Sequence, residues 1–142
     1  MIRRLAALAA VGLLLSACGT VSATSALRSW VSQSGFHANS ASLHTDAVHT
    51  ALALRSSSST VNDLHTVCAV LHEEAQQANA ALPTPDPQAT MLLARAYSEF
   101  GDAANRCYGA ATSASARAVA LRSLEGAVAT LAEGSARVAA AS

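Results

Sequence analysis

The sequence predicts an all-α fold, an antiparallel up-down four-helix bundle. Apolar residues recur at alternating steps of three and four over most of the chain, which is the spacing of one face of a helix. No stretch alternates apolar and polar residues with the Val, Ile and aromatic enrichment of strands. Hydrophobic residues make up 51% of the chain but aromatic residues only 4%, so the core must form by close helix packing. Because each apolar stripe needs another to cover it, four helices with short links favour a bundle.

The first predicted helix begins near Ser25. Its predicted apolar face comprises Leu27, Val31, Ser34, Ala38, Ala41, Thr45, Val48 and Leu52. Gly35 interrupts this pattern, and glycine costs about 1 kcal/mol relative to alanine in a helix interior. The sequence therefore leaves two alternatives, one long helix or two shorter helices with a break near Gly35. Trp30 and Phe36 supply the large anchors of this segment.

The second predicted helix follows the polar run 56–60, in which Ser59 or Thr60 can act as N-cap. Its apolar face comprises Val61, Leu64, Cys68, Leu71, Ala75, Ala78 and Leu82. The segment 83–87 ends it, because its three prolines lack the amide hydrogen that a helix needs. Asp86 before Pro87 has the pattern of an N-cap followed by proline at the first helical position.

The third and fourth predicted helices complete the bundle. The third follows Pro87 and ends in the region of Gly109 and Ser113, where the chain turns. The fourth runs from about Ser115 to Ala139. Their apolar faces comprise Leu93, Tyr97, Phe100, Ala104, Cys107 and Ala111 in the third, and Leu121, Leu124, Val128, Leu131, Ser135 and Val138 in the fourth.

The first 17 residues have the layout of a secretory signal peptide. A cationic start, Met1 to Arg4, precedes an apolar run from Leu5 to Leu15, about half the ~20 residues that a transmembrane helix needs. The leader ends in Leu15-Ser16-Ala17-Cys18. This sequence resembles the lipobox of bacterial lipoproteins, which implies cleavage before Cys18 and a diacylglyceryl group on its thiol. The alternative is an ordinary secretory signal with a chance cysteine.

This resemblance implies a division of the chain and a location. Residues 1–17 are the cleaved signal peptide, 18–24 the lipidated N-terminus with a flexible tether, and 25–142 the helical domain. The protein is expected at the cell membrane, held by lipid on the extracytoplasmic face. The lipobox, the Leu-Pro-Thr-Pro-Asp turn at 82–86 and the pair Cys107-Tyr108 together resemble small alanine-rich helical lipoproteins of actinobacteria. That resemblance supplies no catalytic residues.

Cys68 and Cys107 are the cysteines that remain once Cys18 carries lipid. In an exported protein we expect them to form a disulfide between the second and third predicted helices. Counting from a turn centred near Pro85 places the partner of Cys68 near position 102, about five residues or ~7 Å from Cys107 at 1.5 Å per residue. A shifted helix register is therefore required for the bridge. The alternative is two buried free thiols.

The histidines raise the question of a metal site. His65, Cys68 and His72 share one helix face, and a thiolate with two imidazoles, completed by His44 or His49, is a ligand set for zinc or copper. The disulfide competes for Cys68, and no Glu-x-x-His pair indicates a di-iron bundle. The sequence therefore predicts no metal and no cofactor. If a metal site were present, its candidate ligands would be His65, His72 and His44.

The remaining patterns narrow the class of protein. Seven arginines, nine acidic residues and no lysine follow the leader, so no basic patch indicates nucleic acid. No Gly-x-Ser-x-Gly elbow, Ser-x-x-Lys pair or phosphate loop indicates an enzyme. Glu99 with Asp102 fits an exposed helix face as well as an acid and base pair. We therefore expect a non-catalytic interaction or structural module whose partner is an envelope protein or ligand. The alternative is a carrier of a small apolar ligand or metal between the helices.

Overall fold

The computed structural model describes Ser22 to Ser142, and the leader and Cys18 lie outside these residues. The described part contains five helices and no strand, so the all-α prediction is confirmed for it. The helices are α1 (Ala23–Gln33), α2 (Phe36–Arg55), α3 (Val61–Ala80), α4 (Pro87–Gly109) and α5 (Ala114–Ala141). None of them is both long and apolar enough to cross a membrane.

The first predicted helix is two helices, because the chain breaks at Gly35. Gly35 has φ 65° and ψ 24°, a left-handed conformation that is costly for residues with a Cβ atom. The side chain of Asn39 donates to the carbonyl of Ser34 across this turn. At the other end, α1 begins at Ala23, two residues before the predicted start, because the Ser22 hydroxyl accepts from the Ser25 N–H.

The sequence prediction of which residues face the core after Gly35 is wrong. Val48 and Leu52 were expected in the core, yet they are 45% and 58% exposed. The buried residues of α2 are Phe36, Leu43, Ala47, Thr50 and Leu54. The break at Gly35 explains the error: α2 begins a new helix whose rotation is set by the burial of Phe36, so the spacing counted from Leu27 does not continue into it.

Helices α3 and α4 begin at the predicted caps, α5 begins one residue before its predicted start, and the three helices bury most of the predicted faces. Thr60 and Asp63 form a reciprocal capping box, in which each side chain accepts from the other's backbone N–H. Asp86 caps α4 ahead of Pro87, and Ser113 caps α5. The buried apolar residues that the sequence pattern identified are Leu64, Cys68, Leu71, Ala75, Ala78, Leu93, Tyr97, Phe100, Ala104, Cys107, Ala111, Leu124, Leu131 and Val138.

The helices bury two apolar clusters. The larger one surrounds Phe100 and Leu93 and draws on α2, α3, α4 and α5. The smaller one surrounds the two cysteines and includes Leu54, Leu64 and alanines from the α4–α5 linker and α5. Helix α4 packs most extensively on α5, α3 packs on α2 and α4, and α5 also contacts α2, whereas α1 makes few helix contacts.

Helices α4 and α5 approach closely where Gly134 of α5 meets Leu93 of α4. A Cβ atom at Gly134 would lie 2.8 Å from Cδ2 of Leu93 and 3.4 Å from its backbone nitrogen. A side chain at Gly134 would therefore force the two helices apart or displace Leu93. Gly126 in the same helix is different, because a Cβ atom there would meet nothing within 4 Å.

Candidate functional site

The predicted cysteine partners meet between α3 and α4. The Sγ atoms of Cys68 and Cys107 lie 1.92 Å apart, at disulfide distance, and their Cα atoms are 5.8 Å apart. Both residues are 1% exposed within the smaller apolar cluster. The register that the pairing requires is therefore present. Cys18 lies outside the described residues, so its lipidation stays a prediction.

An aromatic stack that the sequence analysis missed flanks this pair. The rings of His65 and Tyr108 are parallel to within 5°, and their centroids are 3.8 Å apart. His65 lies one helical turn before Cys68, and Tyr108 follows Cys107. The sequence shows that Tyr108 follows Cys107, but only the packing of α3 against α4 brings His65 into contact with Tyr108. Tyr108 remains 50% exposed.

The three metal candidates do not converge. Nε2 of His72 lies 2.7 Å from the Gln76 amide nitrogen, one turn away from Cys68. His44 lies on the exposed surface of α2, a different helix. Within Ser22–Ser142 no group of three or more His, Cys, Asp or Glu side chains could hold a metal ion. Cys68, at disulfide distance from Cys107, does not offer a thiolate to complete the set.

The linker between α3 and α4 carries a network of polar contacts to α1, α4 and α5. Trp30 of α1 donates its indole N–H to the Ala81 carbonyl at 2.9 Å. The Thr84 N–H donates to the hydroxyl of Thr90 in α4 at 2.8 Å. The Arg137 guanidinium of α5 forms a two-pronged pair with Asp86, donating from Nε to Oδ1 and from Nη2 to Oδ2. These contacts hold the linker against α1, α4 and α5.

Asp86 both caps α4 and pairs with Arg137, and these two contacts lower the pKa of its carboxyl group. The hydrogen bond from Arg137 lowers the pKa of Asp86 below 3.8, and the hydrogen bond from the Ala89 N–H lowers it further against the opposing effect of burial. A carboxyl whose folded-state pKa is depressed stabilises the fold above its unfolded pKa. That contribution is lost as pH falls below about 4 through the folded pKa.

We expect Asp86→Asn to lower stability at pH 7 and to leave stability near pH 2 almost unchanged. Asparagine caps helices about as well as aspartate, so the substitution isolates the charge that faces Arg137. Chemical denaturation at a series of pH values measures the effect, and the curves of the two proteins should converge on acidification. Asp102→Asn, on the exposed side of α4, is the matched control. A constant offset between the curves at every pH would contradict this assignment.

Glu99, the other acidic residue singled out in the sequence, is held as a carboxylate. Burial raises its pKa, but hydrogen bonds from Thr130 and Arg95 outweigh that effect and the pKa of Glu99 is lowered. The donor distances are 2.5 Å for the Thr130 hydroxyl and 2.7 Å for Arg95 Nε. A general acid at neutral pH needs a raised pKa instead. The groove beside it holds about 350 Å³ and is lined by charges of both signs, including Asp102 and Arg106.

A second cleft, of about 460 Å³, lies where the α2–α3 linker meets the α4–α5 linker. Arg117 of α5 joins the two linkers. Its Nη1 donates to the Ser56 carbonyl at 2.9 Å, and its Nη2 donates to the carbonyls of Ala111 at 2.8 Å and Ser59 at 3.4 Å. The sequence offered no signal for this role, because carbonyl acceptors do not depend on residue type.

Comparison with known proteins adds no relative to these observations. No protein-family model matches the sequence, and neither the curated proteins nor the solved structures give a significant match. The function therefore has to be inferred from the residues of this chain.

Proposed function

We propose that this protein is exported and held by lipid on the extracytoplasmic face of the cell membrane, where it acts as a non-catalytic interaction or structural module. The observation that carries this proposal is the Cys68 and Cys107 pair at disulfide distance. Disulfides persist in oxidising compartments outside the cytoplasm. The hydrophobic leader supplies the export route. Pairing of two cysteines leaves Cys18 for the lipid.

We further propose that α2 to α5 form an antiparallel up-down four-helix bundle, with α1 as an added N-terminal arm. Along α3 with α4 and along α4 with α5, a rising residue number on one helix meets a falling number on the other. The supporting pairs are His65 with Tyr108, His72 with Gly101, Asp86 with Arg137, and Glu99 with Thr130. Contacts of α5 with α2 as well as α4 are consistent with a closed ring of four helices.

The electrostatics of the described residues favour a structural role over catalysis. The pKa values of Asp63, Asp86 and Glu99 are all lowered, and hydrogen bonds at helix caps and ion pairs cause the lowering in each case. The pKa of Tyr97 is raised to about 12 by burial in the core, and Tyr97 lines neither of the two clefts described above. Catalytic groups are usually shifted toward neutrality inside a cleft. These shifts instead describe groups that hold helices in place.

Replacing Cys18 with alanine is expected to abolish lipid attachment and to leave an unprocessed precursor. The thiol is the atom that receives the diacylglyceryl group in the proposed processing, and alanine offers no nucleophile. Metabolic labelling with radioactive palmitate, followed by gel electrophoresis, measures both effects. Cys68→Ala and Cys107→Ala serve as controls and should keep the label. Labelling that persists in the Cys18→Ala protein would disprove lipid anchoring at this residue.

A further inference from the structure

We propose that the cleft between the α2–α3 and α4–α5 linkers binds a small amphiphilic anion, a carboxylate carried on an apolar chain. This assignment goes beyond the module proposed above and does not depend on whether Cys18 carries lipid. It rests on three properties of the cleft: its volume, its apolar floor and the charge of its rim.

The volume and the floor suit an apolar chain. At about 460 Å³ the cleft lies within the roughly 300–1,000 Å³ that is typical of small-molecule sites. Its floor includes Leu54 and Ala111, both buried, and Leu121, which is partly buried. These side chains belong to, or pack against, the smaller apolar cluster around the cysteines. An apolar chain lying on them would be removed from water.

The charge of the rim suits an anion. The residues that line the cleft include Arg55 and Arg117 and no acidic residue. Arg117 is partly buried and donates to three carbonyls, but within Ser22–Ser142 it forms no ion pair. Carbonyl acceptors satisfy its hydrogen bonds without neutralising its charge. A partly buried cation without a counter-charge favours an anion beside it.

Two further features bear on the charge at the rim. Arg55 is paired with Glu125, but both side chains of this pair are more than half exposed, so the pair is weak. Ser113 and Ala114 line the cleft at the first turn of α5, where the helix dipole is positive. The α4–α5 groove lacks this bias, because Glu99 and Asp102 line it together with Arg95 and Arg106.

Titration of the isotope-labelled, oxidised protein with sodium octanoate tests the proposal, with 1-octanol as the uncharged probe of equal chain length. Two-dimensional amide NMR spectra should show saturable shifts at Ala111, Ala114 and Leu121. Octanoate should bind about tenfold more tightly than octanol, since only the carboxylate gains from the arginines. Equal affinity for the two probes would overturn the proposal, as would shifts centred on Arg95 and Arg106. Absence of saturable shifts at about 10 mM octanoate would also overturn it.

Three variants separate the contributions. Arg55→Gln should weaken octanoate binding several-fold and leave octanol binding unchanged. Ala118→Leu places a larger side chain in the cleft and should weaken both probes. Arg122→Gln removes a charge from the exposed side of α5 outside the cleft and should change neither. If Arg122→Gln weakens octanoate binding as much as Arg55→Gln does, the binding depends on the general surface charge and not on the cleft. That result would contradict the proposed site. Shifts at the cleft that grow with protein concentration alone would place a second copy there and overturn it as well.

Discussion

Reduction of the Cys68 and Cys107 pair is expected to lower the free energy of unfolding by about 3 to 4 kcal/mol. The two cysteines are 39 residues apart in sequence, so the bridge removes the conformational freedom of a long loop from the unfolded chain. The effect is large for a small domain, whose total stability is commonly about 5–15 kcal/mol. Denaturation curves in urea with and without a thiol reductant measure it directly.

The Cys68→Ala/Cys107→Ala double variant is the control for this experiment. It should be about as unstable as the reduced protein and should not respond to reductant, which separates the bridge from other effects of the reagent. Alkylation in denaturant without reductant, followed by mass measurement, should leave both native cysteines unmodified. If reductant fails to shift the curve of the native protein, or if both thiols are alkylated, the pair is not bridged in solution.

Gly134→Val is expected to destabilise the fold by about 1–3 kcal/mol more than Gly126→Val. Both substitutions place the same β-branched residue in α5, so the difference in helix propensity cancels. Only at Gly134 does the new Cβ atom meet another helix, 2.8 Å from Leu93 Cδ2. Overpacking of a close helix contact has a cost of this order. Thermal and urea denaturation of the two variants measures the difference.

A double variant tests the proposed cause. Leu93→Ala alone should be destabilising, because it leaves a cavity in the larger core. Combined with Gly134→Val it should be less harmful than the sum of the two single effects, since the valine fills the space that the leucine vacated. Strict additivity would mean that Gly134 acts through something other than its contact with Leu93.

The parts of the fold that sequence reasoning predicted well are those fixed by local chemistry. Thr60 and Asp86 cap the helices that follow them, and the spacing from Leu64 to Ala78 identifies the buried side of α3. Caps and helical periodicity act over only a few residues, so they can be read from a short window. The cysteine pairing was also predictable, because export was expected from the leader and exported proteins commonly pair their cysteines.

The α2 face shows where local reasoning fails. Counting from Leu27 placed Val48 and Leu52 in the core, whereas Phe36, Leu43 and Leu54 occupy it. Both series have helical spacing, so periodicity alone does not choose between them. The choice depends on the rotation of α2 after Gly35, and the burial of Phe36 against the other helices sets that rotation.

The offset between α3 and α4 was another quantity that counting could not supply. From Cys68 to the end of α3 at Ala80 is 12 residues, whereas from the start of α4 at Pro87 to Cys107 is 20 residues. The eight extra residues correspond to about 12 Å at 1.5 Å per residue. The linker 81–86 spans this distance before α4 turns back, and its contacts with Trp30, Thr90 and Arg137 hold it there. None of these contacts can be predicted from a local sequence pattern.

The arginine-lined cleft was invisible to the sequence for a related reason. Its floor and rim come from α2, two linkers and α5, which are distant in the chain, and Arg117 is held by carbonyl groups that every residue possesses. The sequence pattern pointed to the histidines instead, because His65 and His72 have the spacing of metal ligands on one face of α3. Their side chains have separate surroundings, with His65 stacked on Tyr108 and His72 beside Gln76.

The contact between α1 and the end of α5 places the start of the domain beside the C-terminal end of α5. Arg28 of α1 donates to the carbonyl of Ser142, the last residue of the chain, at 2.7 Å. The cleft lies at the opposite end of α5, and a helix of 28 residues spans about 42 Å. With lipid on Cys18, only a few residues before α1, the cleft would stand up to about 40 Å from the bilayer that anchors the protein.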